Sequence, residues 1–167
     1  MFTSSARACL FLCLAASAVA AQPRAGSKDV PKEKARDTPP ALPTAAADAP
    51  PLRKAQVELV REGVDYIARC KELMRTGAWA VSDFRKYADV LTETCRVAAE
   101  LEEKPANRVP WYELRVQRMK DVENLISQGV KVGNVAPQEL NLIRFQRLQA
   151  EIDLLKLKAE VEKAGGK

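Results

Sequence analysis

Carboxylates, cysteines and aromatic rings are the first candidates for chemistry in this chain, because its 167 residues include no histidine. That omission removes the commonest general base and the commonest metal ligand. Glu58, Glu62 and Asp65 lie on one stretch at helical spacing. Glycoside hydrolysis needs two carboxylates facing each other across a cleft, which three acids at helical spacing do not by themselves establish. Arg61 and Arg69 beside them fit solvated ion pairs, worth about 0.2–0.5 kcal/mol each. There is no G-x-S-x-G elbow, no P-loop, no G-x-G-x-x-G and no metal-spaced Cys/His set. No catalytic, cofactor-binding or metal-ligating residue is assigned, and the chain is not expected to be an enzyme.

Four cysteines remain to be placed. Cys9 and Cys13 lie in an N-terminal segment expected to be removed. Cys70 and Cys95 fall on apolar faces of expected helices, and export permits a disulfide. If those helices form a hairpin around Gly77, the two sulfurs sit about 10 Å apart along the axis at 1.5 Å per residue. A bridge needs Cα atoms about 4.4–6.8 Å apart, so free, buried thiols are expected. Of the two tryptophans, Trp111 at a helix start reads as core. Trp79, beside the Gly77 turn, is a possible contact for a partner, although packing over the hairpin end is the stronger expectation.

The elements that carry these residues begin after a leader. Residues 1–21 read as a secretory signal: Arg7, an apolar run from Ala8 to Ala21, and Ala18 and Ala20 at A-x-A spacing. The run is too short for a membrane span of ~20 residues. Cleavage after Ala20 or Ala21 would leave no membrane-spanning segment and a net charge near +4, from +5 for the whole chain. Residues 22–51 hold seven of the ten prolines and almost no large apolar side chain. They cannot offset the entropy of ordering, and a disordered Pro/Ala-rich tether is expected.

Residues 52–167 form the expected helical-hairpin domain. Val57, Val60, Val64, Ile67 and Met74 recur at 3–4 spacing up to Gly77, whose freedom at positive φ suits a helix end. Gly63 inside that helix costs about 1 kcal/mol against alanine and marks either a close crossing or a tolerated defect. Ser82 is a favourable N-cap for a second helix with the seam Phe84, Ala88, Leu91, Cys95 and Ala98. A third helix is expected from Pro110, with Trp111, Leu114, Met119, Val122, Leu125, Ile126 and Val130 on its apolar face. The stretch 102–110 is either the link before it or a kink in one long helix.

Gly133 makes a corner and Pro137 opens the fourth helix. Its seam is Phe145, Leu148, Ile152, Leu155 and Ala159, and Leu140, Ile143, Leu154, Leu157 and Val161 widen the stripe. A stripe that wide needs more than one partner, from this chain or another subunit. The expected fold is all-α: two helical hairpins in an antiparallel bundle or an elongated coiled coil, preceded by a disordered leader. A shift of 56 residues places Gly77 on Gly133, Ala80 on Ala136, Asp83 on Glu139 and Asp65 on Asp121, the pattern of an internal repeat.

Gly133, Pro137, Glu139-Leu140, Leu148-Gln149-Ala150-Glu151 and Leu154-Leu155 together resemble the helical repeats of TolC-like outer-membrane efflux proteins. With Arg118-Met119-Lys120-Asp121-Val122-Glu123 added, residues 57–160 are also similar to secreted helical proteins of planctomycete-type bacteria. The resemblance implies coiled-coil helices in the envelope. The chain departs from the efflux pattern at EEKPANRVP (residues 102–110), where a transmembrane strand of about 9–11 alternating residues would be needed. No functional residue is carried over.

The expected function is therefore non-catalytic: an exported interaction or scaffolding module of a bacterial periplasm or envelope, with a protein partner or self-association. An accessory role in efflux and a small-ligand-binding bundle are the alternatives, the latter requiring a sizeable apolar cavity. No concentrated basic tract with interleaved aromatics is present, so nucleic acid is not an expected partner.

Overall fold

The computed structural model describes residues 39–80 and 83–165. The expected signal segment, the first part of the tether and the Ser82 cap lie outside the described residues. Four helices follow in order: α1 Pro51–Thr76, α2 Asp83–Leu101, α3 Pro105–Lys131 and α4 Pro137–Gly165. The described residues contain no strand. The fold is all-α, two helical hairpins packed as an antiparallel bundle. Close packing joins α1 to α2, α2 to α3 and α3 to α4. Among the described residues, α1 and α4 share no comparable interface.

Proline and glycine place the helix ends. Pro51, Pro105 and Pro137 each occupy a first helical position, where no backbone N–H is needed. Gly77 and Gly133 both adopt left-handed backbone, at φ 72° and 76°. Their turns also share a hydrogen-bond pattern. Gly77 donates to Met74 and Ala78 to Leu73, while Gly133 donates to Val130 and Asn134 to Gly129. Asp83 donates to Ala80 and Glu139 to Ala136. Each bond of the first turn has its counterpart 56 residues later.

The third helix corrects the expectation of a start at Pro110. It begins at Pro105, and Pro110 lies in its second turn. There the ring removes the bond to the Ala106 carbonyl. Both residues are exposed, so the lost bond falls on the solvent side of the helix. Helices α2 and α3 are separate, and the guanidinium Nε of Arg108 donates to the Glu102 carbonyl at 3.0 Å across the corner.

α2 is the central helix. It buries ten of its 19 residues, whereas α1 buries five of 26 and α4 four of 29. Its expected seam (Phe84, Ala88, Leu91, Cys95 and Ala98) is buried throughout, together with Tyr87, Thr94 and Val97. Trp111, Met119, Val122 and Ile126 meet it from α3. Gly63 marks a close crossing: a Cβ there would stand 1.9 Å from Thr94 Oγ1.

The end of the expected tether is irregular, as its prolines require, but it lies against the bundle. Ala45 packs on the core, and Lys54 Nζ donates to the Ala47 carbonyl at 2.6 Å. Pro39 and Pro40 wall two grooves beside α3.

Candidate functional site: the outer face of the fourth helix

The site is best built from the interface that excludes it. α4 packs on α3 through Leu140, Ile143, Ala150 and Leu157, all buried. Ile143, Ala150 and Leu157 are each seven apart and form one row. Ion pairs flank the row. Glu123 receives Arg144 at 3.1 Å and Arg147 at 2.5 Å. Glu151 receives Arg147 at 2.7 Å and Lys120 at 3.2 Å. Arg115 meets Asp153 at 2.9 Å and Lys158 meets Glu113 at 2.8 Å. Burial alone would raise the Glu151 carboxyl; hydrogen bonds from Lys120 and Arg147 outweigh it and hold the group below the ordinary carboxylate range.

The expected seam lies on the opposite side of the helix. Phe145 and Leu155 are each 66% exposed, Leu148 is 49% and Ile152 46%; Ala159 is exposed too. In a heptad register these residues fill the a and d positions, while the buried row takes f. The two rows therefore point away from each other. The stripe that the sequence presents as one wide face is two faces, and α3 covers only one.

Large exposed apolar residues scattered singly are ordinary. Four at 3–4 spacing on one helix are a continuous stripe, and contiguous exposed apolar surface marks interaction sites. Phe145 also walls a shallow groove of about 430 Å³ with Gln146 and Gln149 of α4, Asp89, Thr92 and Glu93 of α2, and Arg115.

No family model, curated protein or solved structure matches this chain. The functional reading therefore rests on the geometry of its own residues.

The remaining expected site residues fall into place individually. Gly77 and Gly133 form the hairpin corners, and Pro137 opens α4. Trp79 is partly buried against the core. It stands edge-on to Phe84 and Tyr87, with centroids 4.5 and 5.3 Å away, so it packs over the hairpin end. Cys70 and Cys95 are free and buried. Burial pushes the Cys95 thiol up to about 12. Burial and a hydrogen bond shared with Cys70 push the Tyr66 phenol up to about 12. Glu58, Glu62 and Asp65 are all exposed on α1.

No group of three or more Cys, Asp or Glu capable of holding a metal occurs among the described residues. No helix among them is long and apolar enough to cross a membrane. An apolar groove between Val64, Ile67, Ala68 and Leu114 has about 160 Å³, short of the ~300–1,000 Å³ usual for small-molecule pockets.

Sequence reasoning missed Asp89, Thr92 and Glu93. They lie on the polar side of α2, and only the tertiary structure brings them to the wall of the groove beside Phe145. A regular polar face carries no signal of which neighbour it will meet.

Proposed function

We propose that this chain is a non-catalytic, exported helical interaction module of the cell envelope, and that the outer face of α4 is its binding surface. The observation that supports the reading is the exposure of Phe145, Leu148, Ile152 and Leu155 along one side of a helix whose other side is already packed. Fully burying such a side chain is worth about 1.5–3 kcal/mol, and much of that gain remains for a partner to realise. The export part of the reading rests on the leader of residues 1–21, and N-terminal sequencing of the exported chain is expected to begin at Ala21 or Gln22.

The test compares the exported chain with a Phe145→Asp/Leu155→Asp variant in crosslinking on envelope fractions. The wild-type chain is expected to form a crosslinked complex, with itself or another protein, and the variant to lose it while keeping its helical circular dichroism. A wild-type chain that forms no complex of either kind overturns the reading.

A further inference from the structure

We infer that residues 39–50 act as a strap that ties the start of α1 to α3 and α4, and so holds α1 on the bundle. This role is independent of the outer face of α4.

The first observation is how little else holds α1. It buries five of its 26 residues, and its close helix interface among the described residues is with α2. Val64, Ile67 and Ala68 of α1 line a groove with Leu114 of α3, and Pro39 joins its walls. Pro40, next in the chain, walls a second groove with Pro110, Leu114 and Gln117 of α3 and Leu154 of α4. Ala45 packs on the core. The segment thus meets three helices, and it belongs to the same compact unit as the bundle.

The second observation is length. Ile67 and Ala68, beside Pro39, stand roughly 24 Å along α1 from Pro51 at 1.5 Å per residue. Residues 39–46 have no regular secondary structure, and in extended form they cover roughly 22 Å at ~3.1 Å per residue. A turn follows, closed by the Ala49 N–H on the Ala46 carbonyl at 3.0 Å. Lys54 Nζ then braces the junction on the Ala47 carbonyl at 2.6 Å. The segment spans its distance with little slack. With Pro40 seated beside α3 and α4, the start of α1 cannot swing away from α3 without drawing Pro40 out of its groove. Pro39, Pro40 and Pro43 each fix φ near about −65°, so the strap loses little freedom on docking. Pro40, Pro43, Ala45 and Ala49 are half-buried and the rest of the segment is exposed. One side meets the bundle and the other meets water, so the strap can leave without unfolding the core. Opening of this kind occurs in contiguous units, and the unit freed here is α1.

Amide hydrogen exchange of the exported chain, followed by mass spectrometry, tests this with substitutions one residue apart. Ala45→Asp sets a charge against the core and is expected to release the strap. The amides of α1 should then exchange about tenfold faster or more, while those of α3 and α4 stay within about twofold of wild type. Thr44→Asp adds the same charge at an exposed position and is expected to leave every helix within about twofold of wild type. Pro40→Gly/Pro43→Gly loosens the strap without adding charge and is expected to speed α1 selectively, by a smaller factor. An α1 indifferent to either release variant overturns the proposal. Equal acceleration of all four helices, or equal effects of Thr44→Asp and Ala45→Asp, also overturns it.

Discussion

Thr94 of α2 occupies the space that a side chain on Gly63 of α1 would need, with Oγ1 only 1.9 Å from the position of a Cβ. Alanine at position 63 would gain about 1 kcal/mol of helix propensity. Overpacking of this kind costs about 1–3 kcal/mol, and a 1.9 Å approach lies at the severe end. Gly63→Ala is therefore expected to destabilise the chain in urea unfolding despite its better propensity. Adding Thr94→Ala removes Oγ1 and Cγ2 and leaves only Cβ, 2.9 Å away, so the double variant is expected to lose less stability than the two single losses combined.

The two apolar rows of α4 predict opposite responses to truncation. Ile143 is 1% exposed and Phe145 66%, although they are two residues apart. Ile143→Ala is expected to cost about 2–5 kcal/mol, the usual range for a buried isoleucine. Phe145→Ser is expected to change monomer stability by about 0.5 kcal/mol or less, as an exposed substitution should. Urea unfolding of both at low protein concentration checks the contrast. Equal losses would mean that both rows are packed within one chain.

The α3–α4 ion pairs predict an acid limb. An unfolded glutamate titrates near ~4.3, and Glu151 lies below its ordinary range in the fold. Its contribution is thus complete above the unfolded value and is lost as pH falls through the folded one. Because the group is partly exposed, the size is modest, roughly 0.5–1 kcal/mol. Glu151→Gln is expected to lower the unfolding midpoint at neutral pH and to flatten its decline in acid.

The thiols give a fourth expectation. Cys70 and Cys95 are free and buried, and Cys95 is pushed to about 12 by burial. Almost no thiolate forms at neutral pH, and the reagent must also reach it. Neither is expected to react with an aromatic disulfide reagent in the native chain. Both should react in full after unfolding in urea. Rapid native labelling of Cys95 would place it at the surface.

Much of the fold is legible in the sequence because its signals are local. Gly77 and Gly133 end helices because positive φ suits glycine, and Pro137 begins one because a first helical position needs no N–H; Pro51, counted with the tether, begins α1 for the same reason. The α2 seam is legible because a helix buried on most sides buries whatever it carries at 3–4 spacing. Pro110 misled because two prolines, at 105 and 110, both qualify as a start. Local rules do not say which one the preceding corner selects; the Arg108 contact to the Glu102 carbonyl belongs to the start at Pro105.

The candidate site was only half legible. Residues 145–159 are visible as a heptad seam, and the width of the stripe shows that α4 needs more than one partner. The sequence by itself determined that α4 is a helix with apolar residues on two sides, because periodicity is a property of the residues alone. Only the tertiary structure decided that Ile143, Ala150 and Leu157 turn to α3 while Phe145, Leu148, Ile152 and Leu155 remain outside. Either row satisfies the same spacing. The choice belongs to long-range terms: the packing of that row against α3 and the ion pairs that Glu113, Arg115, Lys120 and Glu123 of α3 make on either side of it.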